Sequence, residues 1–359
     1  MINDYINVKN ILDIYENGIS KNIRNKGKLF KFEVNKMQNI ENIILKLKSG
    51  KVINDRYNIF LIYEPKCRLV MSLSVHDKII NHFLARYILD KKLSKYLSDK
   101  NVATRKGMGT KYALDLVEKY INTNKNKYKN LYVLKLDISK YFYSIDHDIL
   151  KGLLKERLDS EEYNLLANVI DSTNEAYINE SIKYYKENKN VDIPYYHYKK
   201  GLPIGNMTSQ FLSIFYLYKL DHYIVHNLKC KNYVRYMDDF IIIDNDLDKL
   251  RYAQKKIIEI LNNEYKLIVN PKKTCICNLR SGFSFLGFTF KLKNNKTIID
   301  IKKENLNKIK KKIKYLKWSF THGRITHQRA FCSIMTYTYG YRYGKDKIRA
   351  VINRYWYEK

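Results

Sequence analysis

The stretch Lys231-Asn232-Tyr233-Val234-Arg235-Tyr236-Met237-Asp238-Asp239-Phe240-Ile241-Ile242-Ile243 places two adjacent carboxylates between two β-prone segments. That pattern predicts a tight antiparallel hairpin with negative charge at its tip, where an ordinary hairpin carries Asn-Gly or Asp-Gly. A polar pair in a turn is usually just solvated. A second segment about a hundred residues upstream changes the reading, because Tyr132-Val133-Leu134-Lys135-Leu136-Asp137 is another strand ending on a carboxylate. Three converging carboxylates suit Mg²⁺, which keeps several waters and takes one or two carboxylates plus substrate phosphates. Two such ions, roughly 3.5–4 Å apart, activate an attacking hydroxyl and stabilise a leaving oxygen in phosphoryl transfer.

The bulk composition agrees with a polyanionic partner. The chain has 359 residues, with 67 Lys and Arg against 36 Asp and Glu and a net charge of +31, far more than solubility requires. Part of that excess reflects a Lys- and Asn-rich composition in general, but the acids occupy motif positions while the positive charge clusters. Cys67, Cys230, Cys275, Cys277 and Cys332 form neither zinc-type CxxC pairs nor an even disulfide framework, as expected in a reducing compartment. Cys275 and Cys277 are read as packing residues of a strand. The N-terminus lacks a basic segment followed by an apolar one, and the apolar runs are too short to span a bilayer. A cytoplasmic protein without a membrane partner is expected.

Periodicity predicts helices over Asp77–Leu97, from Gly109 to Tyr120, over Leu150–Ile170 and over Gln210–Tyr223, followed by strands and a basic terminal helix. Residues 1–50 mix helical patterning with basic stretches, and a Tyr- and Lys-rich segment ends at Lys200. Strand and helix do not alternate regularly, so the fold class is α+β with a mainly antiparallel sheet. In the helix opening at Ile301, Leu306, Ile309, Ile313 and Leu316 make one apolar stripe and lysines cover the rest. Lys302, Lys303, Lys308, Lys310, Lys311, Lys312 and Lys314 are the candidate nucleic-acid contacts.

The order of motifs resembles that of a bacterial retroelement-type reverse transcriptase. After the Asp137 strand come Gly201-Leu202-Pro203-Ile204-Gly205-Asn206-Met207-Thr208-Ser209-Gln210, the Tyr236-Met237-Asp238-Asp239 hairpin, Asn270-Pro271-Lys272-Lys273-Thr274 and Phe285-Leu286-Gly287-Phe288. Upstream, Arg68, Asp77-Lys78-Ile79-Ile80 and Asn101-Val102-Ala103-Thr104-Arg105-Lys106-Gly107 resemble the family's fingers motifs. The resemblance covers about residues 55–290. It implies a right-hand polymerase: an N-terminal extension over 1–54, fingers over 55–130, a palm over 131–290 with a helical insertion at about 150–200, and thumb and C-terminal helices over 291–359.

It also implies roles. Asp137, Ile138, Asp238 and Asp239 form the metal-binding set for two Mg²⁺ ions, with Mn²⁺ as a substitute, and the three aspartates with Lys273 form the catalytic set. Lys273 is the proton donor to pyrophosphate, with Lys272 as its rival. Arg68 and Arg105 grip the triphosphate, a role suited to the planar guanidinium. Phe142 matches the position whose ring lies under the incoming sugar and leaves no room for a 2′-hydroxyl, favouring a DNA product. Ile204, Gly205, Gln210, Tyr236 and Met237 complete the nucleotide-binding set. Asp146-His147 is expected to cap a helix or hydrogen-bond in the core, not to catalyse.

Ile204 stands where many relatives carry Gln, and Ser209-Gln210 replaces the commoner Ser-Pro. Both features most resemble the reverse transcriptases of diversity-generating retroelements, and some defence-associated enzymes share them. The partners implied are an RNA template, a DNA or RNA primer and deoxynucleoside triphosphates, with a dedicated noncoding RNA and an accessory protein as further expectations. The rival readings are an RNA-templated RNA polymerase and a maturase-like RNA-binding protein that retains the fold.

Overall fold

The computed structural model describes residues 2–23, 25–63 and 66–358. Along the chain, α1 (Val8–Asp13), α2 (Lys26–Val34) and α3 (Lys36–Lys48) precede a hairpin of β1 (Asn58–Ile62) and β2 (Arg68–Ser72). Then come α4 (Val75–Leu84), α5 (Thr110–Asn124), β3 (Tyr132–Asp137), α6 (Tyr141–Ser144), α7 (His147–Lys155), α8 (Ser160–Asp171) and α9 (Ala176–Lys189). Next are α10 (Met207–Tyr216), α11 (Tyr218–His226), β4 (Tyr233–Tyr236), β5 (Asp239–Asp244), α12 (Leu247–Asn263) and β6 (Cys275–Asn278). The chain closes with β7 (Phe283–Phe285), β8 (Phe288–Lys293), β9 (Lys296–Ile301), α13 (Lys303–Thr321), α14 (His327–Gly340) and α15 (Lys345–Ile352). This is the expected α+β class.

Two compact units share the chain. The first gathers Met1–Thr104, Asp137–Lys229 and Lys255–Asn270, and the second Arg105–Leu136, Cys230–Gln254 and Pro271–Lys359. In the first, the β1–β2 hairpin pairs antiparallel from Asn58↔Ser72 to Ile62↔Arg68. Leu69, Met71 and Leu73 pack with Tyr57, Ile178, Ile182, Ile193 and Tyr196. The Tyr- and Lys-rich segment therefore contains a helix, α9, whose buried Ile178 and Ile182 support the hairpin.

In the second unit the sheet order is β4-β5-β3-β6, and β7-β8-β9 form a separate antiparallel sheet. Ile309, Ile313 and Leu316 of α13 are buried against Ala330, Ile334, Ile348, Ile352 and Trp356, with Leu306 partly buried beside them. The stripe read from the sequence is thus the core seam of a three-helix cluster. Each fully buried Ile or Leu contributes roughly 1.5–3 kcal/mol relative to exposure.

Local chemistry explains where the periodicity misjudged helix limits. The helix expected over Leu150–Ile170 is two, because the Asp159 side chain accepts from Glu162 N and starts a new helix. The helix expected over Gln210–Tyr223 divides at Leu217, which leaves the helical region at φ −105°, ψ 16°. The helix from Asp77 starts earlier, at Val75 on a Ser74 cap, and widens into a π-helical turn over Ala85–Leu93. All five cysteines are free, and Cys275 is exposed, so only Cys277 of that pair has a packing role. Burial pushes the Cys277 thiol up to about 11.

Candidate active site

The hairpin forms as its sequence demands. Tyr236 pairs with Asp239, leaving Met237 and Asp238 as a two-residue loop. Met237 has φ 57° while Asp238 is outside the left-handed region, the pattern of a II′ turn, whose first central position usually holds glycine. A side chain there costs roughly 1–2 kcal/mol. The offsetting contact comes from Arg235, whose side chain is fully buried. Its Nη1 donates to the Met237 carbonyl at 3.0 Å, and its guanidinium lies 5.9 Å from the Phe240 ring centre. Thr110 Oγ1 donates to the Tyr236 hydroxyl at 3.3 Å, and Tyr120 donates to the Tyr233 carbonyl at 3.1 Å, so α5 braces β4.

Asp239 opens β5 and faces a cation. Lys135 Nζ lies 3.9 Å from its Oδ1 and donates to the Ser284 carbonyl at 2.8 Å. Lys135 and Asp137 are two apart on β3 and therefore share a face of the sheet. Asp137 itself is only 4% exposed. Its carbonyl accepts from Asn270 N at 2.7 Å, and Ile138 bridges Val269 in antiparallel fashion.

In the first unit three predicted nucleotide-binding segments meet. The Phe142 carbonyl accepts from Leu202 N at 2.7 Å, and the Ile204 carbonyl accepts from Met71 N of β2 at 2.9 Å. Arg68, exposed, begins that same strand. Gly205 has φ 121°, and a Cβ there would stand 3.0 Å from the Met71 carbonyl; only glycine permits this approach. Phe142 and Ile204 are half-buried, and Gln210 is exposed in the first turn of α10. Arg105 is half-buried in the second unit. Lys272 and Lys273 are both exposed in the turn before β6, so exposure does not discriminate between them.

Asp146 and His147 do what the sequence suggested. Asp146 caps α7 by accepting from Asp148 N and Ile149 N. Burial works against its charge, but Lys266 and these amides outweigh that, holding its carboxyl below the usual range. His147 is buried between Asp171 and the Gly201 carbonyl, 2.7 Å from Nε2, and desolvation lowers its pKa despite these contacts. It supports the 201–205 loop from beneath.

The lysines of α13 and its N-cap are not equivalent. Lys303, Lys308 and Lys311 are exposed. Lys310 and Lys314 lie 4.9 and 4.7 Å from the Tyr355 ring centre, Lys312 lies over Tyr315, and Lys302 pairs with Glu304 at 3.0 Å. Four residues were missed as supports: Arg235 and Lys135 beside the carboxylates, and Asn206, donating to the Tyr57 hydroxyl, with Thr208, donating to Asn81, beneath the 201–210 segment. A charged residue inside an otherwise apolar strand was the available signal for Arg235.

Among the described residues no three His, Cys, Asp or Glu side chains make a ready metal cluster, so water and phosphate would have to complete any Mg²⁺ shell. The donor chemistry, hard carboxylate oxygens without thiolate or imidazole, fits that ion.

A carboxylate-tipped hairpin beside a strand that ends on aspartate defines a polymerase-type palm. Residues 62–290 match the reverse transcriptase (RNA-dependent DNA polymerase) family, and the chain belongs to it. It therefore carries the right-hand polymerase fold of that family. No curated protein matches it. Solved structures similar to it include apo telomerase from Candida tropicalis truncated of its C-terminal domain, at 16% identity and TM-score 0.48 over 72% of this chain and 59% of that one. Telomerase from Candida albicans in complex with a fragment of telomeric RNA is 13% identical, with TM-score 0.44 over 75% of this chain and 52% of that one. The chain spans little more than half the length of these structures. No helix among the described residues is long and apolar enough to cross a membrane.

Proposed function

We propose that the protein is an RNA-directed DNA polymerase that extends a DNA or RNA primer on a dedicated RNA template. The observation that carries this reading is the strained Met237-Asp238 turn, held by a buried arginine so that two acids stand at the tip of a hairpin. Asp137, Ile138, Asp238 and Asp239 would hold two Mg²⁺ ions, or Mn²⁺ in their place, which supply activation of the primer hydroxyl and charge neutralisation at the triphosphate. Arg68 and Arg105 bind the phosphates, Phe142 excludes a 2′-hydroxyl, and Lys273 donates a proton to the leaving pyrophosphate. Ile204, Gly205, Gln210, Tyr236 and Met237 orient the incoming nucleotide. The exposed lysines of α13 follow the duplex backbone.

The setting we favour is a retroelement of the diversity-generating or defence kind, in which Ile204 offers only apolar contact near the nascent pair.

Primer extension on an RNA template with matched deoxy- and ribonucleotides tests the reading. The wild type is expected to incorporate deoxynucleotides, and Phe142→Val to admit ribonucleotides. A wild type that prefers ribonucleotides would make this an RNA-synthesising enzyme, and an unchanged ratio in Phe142→Val would assign sugar selection elsewhere.

A further inference from the structure

Within the second unit lies an open cleft of about 880 Å³ lined by Lys125, Asn126, Lys127, Tyr128, Lys129, Arg280, Lys291, Leu292, Lys293, Asn294 and Asn295. Six of these are cations and none is an acid. Among the described residues none of the six forms an ion pair. Elsewhere in the chain Lys135, Lys249, Lys302 and Lys347 each have a carboxylate partner. A composition rich in lysine explains many exposed cations. It does not explain their gathering in one concave site without counter-charge, where mutual repulsion disfavours the arrangement unless an anion enters.

The cleft is built from three separate stretches of the chain tied together. Arg280 donates to the Lys129 carbonyl at 3.1 Å, and Asn295 donates to the Asn126 side chain at 2.8 Å. Thr297 donates to Asn122 on α5 at 2.8 Å, and Leu292 N donates to the Leu279 carbonyl at 3.1 Å. Asn294 and Asn295 both have positive φ, 48° and 57°, the I′ turn that holds a two-residue hairpin tip rigidly.

Its location separates it from the carboxylates. The cleft adjoins the end of the sheet where Tyr132 pairs with Asn278 and Leu279 N donates to the Leu131 carbonyl. Lys135, three residues along β3 from Tyr132, is the one facing Asp239. At about 3.3 Å per residue, Tyr132 and Asp137 at the two ends of β3 are separated by roughly 17 Å.

We propose that this cleft is a second nucleic-acid site that anchors an unpaired segment of RNA by its phosphates. The cations answer the backbone charge. The amides of Asn126, Asn294 and Asn295 can hydrogen-bond 2′-hydroxyls and base edges, and Tyr128, 41% exposed, offers a stacking face for a splayed base. A concave pocket of this size admits a bent single strand and excludes a flat membrane surface. The choice of RNA over DNA rests on the reading of the chain as an RNA-copying enzyme; the anion site itself does not.

The test uses the full chain with its polymerase site saturated by a short template–primer. A fluorescent RNA hairpin with an unpaired loop and a blocked 3′ end is then titrated at several salt concentrations. In Lys127→Gln/Lys129→Gln/Lys291→Gln/Lys293→Gln, affinity for this RNA is expected to fall at least about tenfold. The slope of log K against log salt should flatten by about 0.7 for each phosphate that is no longer neutralised. Tyr128→Ala is expected to weaken binding without changing that slope. Extension of the short template–primer should stay at the wild-type rate, which also shows that the variant is folded and the polymerase reading intact. Unchanged RNA affinity and slope would overturn the site. A DNA hairpin of the same sequence that binds equally well would overturn the assignment to RNA, and loss of short-primer extension in the folded variant would make the cleft part of the template path and not a second site. If the quadruple variant does not fold, the Lys127/Lys129 and Lys291/Lys293 pairs are tested separately against the same outcomes.

Discussion

The two ends of the four-stranded sheet carry opposite charge and are organised on opposite principles. At the hairpin end, Asp238 and Asp239 follow Met237, whose backbone is in an unfavourable conformation, and the nearby cations each have a defined position, with Arg235 holding the Met237 carbonyl and Lys135 facing Asp239. At the Tyr132–Asn278 end, six cations share a cleft with no carboxylate partner among the described residues. The difference teaches how charge is used. Catalytic acids must be held in one geometry before the substrate arrives, whereas a backbone-binding surface needs charge density more than exact placement.

The largest expected effect breaks the hairpin end chemically. Asp238→Ala should reduce nucleotide incorporation by at least about a thousandfold, since losing a metal-clamping carboxylate costs several kcal/mol of transition-state stabilisation. RNA affinity should be nearly unchanged. Activity within about tenfold of wild type in a primer-extension assay would remove Asp238 from the catalytic set.

Arg235→Met tests whether geometry, and not charge alone, distinguishes that end. Removing the buried guanidinium leaves the Met237 carbonyl without this donor, a loss of about 1–3 kcal/mol. The expected result is kcat lower by about tenfold or more, KM for the nucleotide little changed and thermal stability reduced only to the extent of that lost hydrogen bond. Equal kcat would mean that strand pairing alone holds the turn, and Arg235 would no longer count as a positioning residue.

A smaller effect concerns α13, whose lysines differ in how far they can act like those of the cleft. Lys303→Gln/Lys308→Gln/Lys311→Gln should lower the salt dependence of template–primer binding by roughly 0.7–0.9 in slope per phosphate released. Lys310→Gln/Lys314→Gln, whose ammonium groups lie over Tyr355, should change it less. Equal slopes for both variants would show that the tyrosine does not withdraw those lysines from the nucleic acid.

The smallest effect is a control that belongs to neither end. Asp146→Ala should destabilise the fold by about 1 kcal/mol through loss of the α7 cap. Because the Asp146 carboxyl is held below its usual range, its contribution is present above the unfolded value near 3.9. It fades as pH falls through the lower folded value. Urea unfolding of the two proteins should therefore differ at pH 7 and converge under strongly acidic conditions.

Much of the site was legible because its signals are local. A two-residue polar loop between β-prone runs specifies a hairpin, and a strand ending on Asp137 specifies where a carboxylate emerges, with no need to know what packs nearby. The capping role of Asp146 was legible for the same reason, since an N-cap acts on the amides two and three residues ahead. Helix limits were less so: the break at Asp159 competes with a continuous apolar period, and a single capping side chain decided it. The role of α9 was hidden because its sequence is dominated by tyrosine and lysine while only Ile178 and Ile182 are fully buried.

By itself, then, the sequence determined the hairpin and the acids at its tip, the α+β class and the family, all of which rest on residues adjacent in the chain or at fixed periods. Tertiary structure alone decided that Arg235 turns inward to hold Met237, that Tyr355 occupies two of the lysines of α13, and that Lys125–Lys129, Arg280 and Lys291–Asn295 line one cleft. These depend on contacts between segments 40 to 170 residues apart or on which way a strand residue faces. Side-chain direction and long-range pairing are set by packing of the whole core and leave no periodic trace in the chain.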